Sequence, residues 1–161
     1  MSIEKVRQHL KQWNREGDIL KLSTSTATVP LAAQALGVEP GRIAKSISLV
    51  QEGGVLVLVV AGDVKIDNRK FKDTFGFKAK MLSPDNALRL TGHAVGGVCP
   101  FALPPEAVVF LDISLKRFPT VFPACGVDNS AIELTMDELA IYSSSKQWVD
   151  VCRLPEPLSA P

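Results

Sequence analysis

The sequence predicts an α+β fold built around a mixed β-sheet, on three observations. Residues 55–61, VLVLVVA, are a continuous apolar and mostly β-branched run, the pattern of a central strand buried on both faces. The preceding residues 43–50 alternate, and Gln51-Glu52-Gly53-Gly54 supplies a hairpin turn between the two strands. Elsewhere the strands are separated by short capped helices, and a sheet joined in both ways is mixed in direction.

Taken in order, Ser2 opens a helix in which Ile3, Val6, Leu10 and Trp13 fall three and four apart on one face, with Gly17 as its stop. Residues 19–22 read as a short strand and 23–28 as a polar loop. Thr28 caps a helix over residues 29–36, with Pro30 in its first turn and Gly37 after it. Glu39-Pro40-Gly41 is a turn. After the hairpin, residues 68–75 are helical up to Gly76, residues 77–82 form a strand, and Ser83-Pro84-Asp85 starts a helix running to Leu90. Residues 91–105 hold too much glycine and proline for a long regular element. Residues 108–112, 120–125 and 131–134 are strands. Thr135 with Glu138 makes a capping box for a helix over 136–142, and residues 147–151 are the last strand.

The chain has 161 residues, 46% hydrophobic and 22% charged, the balance of a folded globular protein rather than a disordered one. Eighteen Lys and Arg against 17 Asp and Glu leave a net charge of +1. That excludes a uniformly basic nucleic-acid coat and an acidic tail, but not a local basic face. The N-terminus mixes charged and apolar residues, unlike a signal peptide, and the longest apolar stretch is far below the ~20 residues of a membrane helix. A cytoplasmic protein without membrane attachment is expected. Cys99, Cys125 and Cys152 are widely spaced and odd in number, and the only histidines are His9 and His93. Neither a disulfide framework nor a protein-built metal site is expected, and no cofactor motif appears.

The chemistry-bearing candidates cluster in Gly92-His93-Ala94-Val95-Gly96-Gly97-Val98-Cys99-Pro100. Paired glycines permit positive φ and close backbone approach to a ligand, and consecutive N–H groups in such a bend hold an oxygen that gains negative charge. Pro100 fixes the exit of the bend; a plain helix-to-strand loop is the alternative. Lys45 alternates in phase with Ile43, Ile47 and Leu49 and so points to the face they bury, either as an edge lysine or as a cation held for a phosphate or an ester carbonyl. Cys99 and His93 form a possible thiol–imidazole pair without an orienting third group; a small Cys lining the loop is the simpler reading. Lys65, Arg69, Lys70, Lys72, Lys78 and Lys80 against Asp67 and Asp73 make this segment net +4, a face that either contacts an RNA backbone or is simply solvated.

On these residues the chain resembles the YbaK/EbsC (ProX-type) aminoacyl-tRNA deacylase family, related to the editing domain of bacterial prolyl-tRNA synthetase. The resemblance spans residues 23–151 and rests on an ordered set: TVPLAAQALGV at 28–38, Ile43-Ala44-Lys45-Ser46, Ala61-Gly62-Asp63 with Ile66-Asp67, TGHAVGGVCPF at 91–101, Leu111-Asp112, and Asn129-Ser130-Ala131. It implies a mixed, barrel-like sheet surrounded by helices, with one editing domain over residues 1–153 and a frayed tail at 154–161. It further implies hydrolysis of the ester joining a mischarged small amino acid (Ala, Cys, Ser or Thr) to the terminal adenosine of tRNA, without a covalent protein nucleophile. The family's lysine matches Lys45 and its Gly-x-x-x-Pro loop matches Gly96, Gly97, Val98, Cys99 and Pro100. Gly92, His93, Asp128, Asn129 and Ser130 are the further pocket candidates, in a pocket expected to be small. Aminoacyl-tRNA is the expected partner, with an aminoacyl-tRNA synthetase as a second. Relatives commonly carry Ser at the position of Cys99 and Gly at that of Ala102, which bears on the accepted amino acid and on loop stiffness. Two rivals stand beside this reading: a thiol hydrolase using Cys99 and His93, and a non-catalytic tRNA- or partner-binding module on the same fold.

Overall fold

The computed structural model describes residues 2–155, and its core is a six-stranded mixed sheet curled into a half-barrel. In chain order the elements are α1 (Ser2–Leu10), β1 (Leu20–Lys21), α2 (Val29–Leu36), β2 (Ile43–Gln51), β3 (Gly54–Ala61), β4 (Lys65–Ile66), α3 (Asn68–Phe75), α4 (Pro84–Thr91), β5 (Ala107–Asp112), β6 (Thr120–Pro123), β7 (Ser130–Ala131), β8 (Leu134–Thr135), α5 (Met136–Tyr142), β9 (Gln147–Val149) and β10 (Cys152–Arg153). The sheet order is β8-β6-β2-β3-β5-β9, with β1-β7 and β4-β10 as separate pairs. β2 and β3 are an antiparallel hairpin, whereas β2-β6, β3-β5 and β5-β9 are parallel.

β3 sits at the centre, and its two faces feed two cores. Val55, Val57, Val59 and Ala61 join a cluster with Val6, Leu10, Leu115 and Leu139, beneath α1 and α5. Leu56, Leu58 and Val60 face the other way, against Phe71 of α3 and Phe110 of β5. A third, smaller cluster packs Ala32 and Ala33 of α2 on Ile43, Phe122 and Ala131. The helix limits follow from their caps. Thr28, Asp67, Ser83 and Thr135 accept backbone N–H groups at the starts, and Gly37, Gly76 and Gly92 close the ends at φ of 68°, 82° and 79°.

Five sequence expectations are corrected. The first helix passes into a 3₁₀ turn and stops at Asn14, which takes the left-handed conformation (φ 58°) in place of Gly17. Residues 77–82 are not a strand. Their alternation is real, since Phe77 and Ala79 pack on the α3 cluster while Lys78, Lys80 and Met81 are exposed, but only residues 80–82 reach β2. The strand expected at 131–134 splits into β7 and β8, because the first piece pairs with β1 and the second with β6. β6 stops at Pro123, which has no N–H to extend the ladder. The last strand ends at Val149, and the chain then turns so that β10 pairs with β4. Of the expected tail, Leu154 and Pro155 are exposed and irregular, and residues 156–161 lie outside the described residues. No helix among the described residues is long and apolar enough to cross a membrane.

One buried carboxylate ties the ends of β3 and β5 to the chain beyond β9. Asp112 is 1% exposed; its Oδ1 accepts Val151 N–H and its Oδ2 accepts Ser114 N–H, both at 2.9 Å. Ser114 Oγ in turn accepts Ala61 N–H at 3.1 Å. Asp112→Ala orphans two buried donors and is expected to cost about 2–5 kcal/mol, read as a lower urea midpoint at unchanged slope. A loss below about 0.5 kcal/mol, the scale of an ordinary surface substitution, contradicts this assignment.

Candidate functional site

α2 and α3 cover different stretches of the face that β2 shares with Leu56, Leu58 and Val60. Ile43 belongs to the α2 cluster, Ile47 and Leu49 to the α3 cluster, and Lys45 falls between them. It keeps the predicted phase with its apolar neighbours, but the gap between the two helices leaves it exposed rather than buried. That gap opens into a cavity of about 440 Å³, within the roughly 300–1,000 Å³ of small-molecule sites and larger than the small pocket expected. Its walls are residues 26–30 with Ala32 and Leu36 of α2, residues 43–48 of β2, Gly62, Met81, Leu82, Ala87 of α4, Val95, Gly96 and Val98 of the glycine loop, and Phe122, Ala124, Ser130 and Ala131. Lys45 is the single charged side chain in that wall, and no His, Cys, Asp or Glu lines it among the described residues. Lys45 makes no ion pair among the described residues.

The glycine loop is held by close backbone packing. A Cβ on Gly97 would lie 2.5 Å from Gly126 carbonyl oxygen and 2.7 Å from Val127 N, so only glycine fits. Gly126, at φ 96°, is itself pressed against the backbone of Ser2 at the start of α1. Gly96 has φ 95°, and a Cβ there would stand 3.3 Å from Ala27 Cβ and 3.4 Å from Asp128 Cβ. Gly97 N–H closes the turn onto Ala94 carbonyl at 2.9 Å, while the N–H groups of Gly96 and Val98 find no backbone acceptor among the described residues. Ala102, where relatives are expected to carry Gly, adopts φ 54°, a conformation that favours glycine.

The other predicted site residues hold this loop from behind or beside it. His93 is fully buried; its Nε2–H donates to Phe101 carbonyl at 2.8 Å, which leaves Nδ1 to accept the Ser2 hydroxyl. Burial keeps its pKa below the ordinary histidine value. Cys99 Sγ lies 3.4 Å from His93 Nε2, but that nitrogen already carries the proton given to Phe101 and cannot take one from the thiol. Burial pushes the Cys99 thiol up to about 12. Cys99 therefore faces the core and not the cavity, contrary to a pocket-wall role, and the pair is not poised for thiolate chemistry. Pro100 lines a separate surface pocket with His9, Leu103 and Ser144. Gly92 is the end cap of α4. Asp128 is exposed and its carbonyl accepts Thr26 Oγ1–H at 2.9 Å. Asn129 bonds Leu22 through both its carbonyl and its side chain, and Ser130 Oγ accepts Cys125 N–H at 3.0 Å and donates to Val127 carbonyl at 2.9 Å. Of the candidates, Lys45, Gly96, Val98 and Ser130 line the cavity. Lys65, Arg69, Lys72, Lys78 and Lys80 are exposed, and Lys80 precedes Met81 at the cavity wall; Lys70 is engaged with Asp150 and Cys152 carbonyl, both at 3.2 Å. Ser46 and Ser48, which also line the cavity, were not among the sequence candidates. Their signal is the small polar residue at every second position of a strand otherwise rich in aliphatic side chains.

Residues 23–141 match the model of a family described as the aminoacyl-tRNA editing domain. The chain is 58% identical over 154 residues, 95% of its length and 98% of the relative's, to the uncharacterised protein YwhH of Bacillus subtilis (strain 168). It is 27% identical over 109 residues, 66% of each chain, to EbsC of Enterococcus faecalis, inferred to be a Cys-tRNA(Pro)/Cys-tRNA(Cys) deacylase. Among solved structures, that of an inferred trans-editing enzyme for prolyl tRNA synthetase superposes with a TM-score of 0.84 at 30% identity, over 94% of this chain and 97% of the other.

The packing of the loop yields a test. Gly97→Ala forces two backbones apart and is expected to lower stability by about 1–3 kcal/mol in thermal unfolding. The buried Cys99 thiol is expected to resist alkylation near about pH 8 in the folded protein and to react on unfolding, as read by mass spectrometry; rapid native labelling contradicts its placement.

Proposed function

Because the chain belongs to the aminoacyl-tRNA editing domain family, we propose that it is a stand-alone deacylase that releases a small amino acid from mischarged tRNA. The observation that carries this reading is the composition of the cavity wall: one cation, loop amides without backbone acceptors, and no nucleophile–base pair. An aminoacyl ester is already activated, so its hydrolysis needs placement and stabilisation of the developing oxyanion more than covalent help. In this mechanism water adds to the acyl carbonyl, and the oxyanion is held by N–H groups of Gly96 and Val98. The ester C–O bond then breaks, and the ribose oxygen leaves with a proton. Lys45 places the acceptor end by its positive charge, at a phosphate or at the carbonyl itself. The cavity volume suits an acyl group together with part of the terminal nucleoside. The exposed cations of residues 65–80, which run up to the cavity wall at Met81, supply a path for the tRNA backbone. Small acyl groups fit the family relationship. A single methylene is worth only about 1–3 kcal/mol of discrimination in one binding site, which is why a second, hydrolytic site is needed.

The test is a panel of tRNAs carrying Ala, Cys, Ser or Thr, with free amino acid as the readout. Release from at least one is expected, and binding without release from any supports a binding module instead. Lys45→Ala is expected to lower release at least ~10²-fold. Cys99→Ser is expected to retain activity, whereas a loss of several orders of magnitude supports the thiol mechanism.

A further inference from the structure

β2 has one edge that is only partly used. Toward β3 it is laddered from Ala44 to Gln51. On the opposite edge β6 pairs only with Ile43 and Ala44. Further along, Leu82 N–H donates to Ser48 carbonyl at 3.1 Å and Val50 N–H donates to Lys80 carbonyl at 2.8 Å. The N–H and C=O of one strand residue point to the same side, and the side alternates along the strand. Since Ser48 and Val50 face this outer edge, Ser46 faces it too. Ser46 N–H, Ser46 C=O and Ser48 N–H therefore lie between the two partners, with no backbone partner among the described residues. Ser46 Oγ is likewise buried without a hydrogen-bond partner. Folded proteins rarely leave so many polar groups of one segment unpaired, and both residues line the cavity.

The order of these groups is donor, acceptor, donor. A cationic α-amino group is a poor match, because the wall offers Lys45 and no carboxylate among the described residues. A neutral planar group with a donor beside an acceptor is the complement of Ser46 carbonyl and Ser48 N–H. The geometry points to the adenine of the substrate's terminal nucleoside as the occupant. Its exocyclic amino group donates to Ser46 carbonyl and a ring nitrogen accepts Ser48 N–H, with Met81, Leu82, Ala87 and Val98 beside the ring as apolar neighbours. The inference rests on the proposed deacylase reading for the identity of the ligand. It adds that the strand backbone next to Lys45 selects the base.

The test does not depend on hydrolysis. Isotopically labelled protein is titrated with the trinucleotide CCA and with the same trinucleotide ending in inosine or in purine riboside, and amide resonances are followed by NMR. Ser46 and Ser48 amide protons are expected to move downfield with CCA. The two variants are expected to bind at least about tenfold more weakly, because each leaves slot groups unpaired. Equal affinity for all three, unmoved Ser46 and Ser48 amides, or no binding at millimolar trinucleotide overturns the slot. None of those results touches amino acid release from the tRNA panel. Adenine-selective shifts without release in that panel overturn the deacylase reading and leave the slot standing.

Discussion

Gly97 and Gly126 pass so closely that a Cβ on the first would stand 2.5 Å from the carbonyl oxygen of the second, and Gly126 has Ser2 backbone on its other side. Three stretches of main chain, from α1, the glycine loop and the turn after β6, meet here, with the Ser2 hydroxyl and backbone both against Gly126. Such contacts relax little, because moving any one of them moves an element packed in the core. The loop at 95–98 is therefore a fixed part of the cavity wall rather than a lid. His93 and Cys99 complete that support from within: the imidazole spans Ser2 and Phe101, and the thiol fills the space beside it. Residues that look reactive in the sequence serve here to hold the shape of a bend in which the Gly96 and Val98 amides have no backbone acceptor among the described residues.

On the far side of the cavity the fold creates the opposite condition, an unfilled space. α2 and α3 cover neighbouring parts of one sheet face and leave Lys45 between them, while β6 and residues 80–82 cover neighbouring parts of one strand edge and leave Ser46 and Ser48 between them. Both gaps fall on the same few residues of β2. The glycine loop and this strand segment, with its cation and its unpaired backbone groups, thus line one cavity. Electrostatically the wall is simple, with one positive charge and no negative one among its described residues. It favours an anionic or neutral polar ligand and the build-up of negative charge during reaction.

Much of this was readable because it is local. Thr28, Ser83 and the Thr135–Glu138 pair set helix starts through bonds spanning three residues, and the alternation around β3 follows from the pleat itself. The glycine loop also shows in the sequence, since its glycines are adjacent. What escaped depends on partners distant in the chain. Nothing near Cys99 shows that Ser2 holds His93 inward, and nothing near Ser46 shows that β6 ends at Pro123 and that residues 77–82 touch β2 only at their end. Asn14 replaced Gly17 as the stop of the first helix because both residues accept a left-handed turn, and the turn onto Lys11 carbonyl closes first.

The central claim is that fixed loop amides and Lys45 act together on one acyl ester, and a structure with a hydrolysis-resistant ligand tests it most directly. In a crystal of the protein with an adenosine whose amino acid is joined through an amide in place of the ester, the acyl carbonyl oxygen should accept from Gly96 or Val98 N–H, with Lys45 on the same ligand. An acyl group bound against Cys99, or lying away from both the loop and Lys45, would contradict the account.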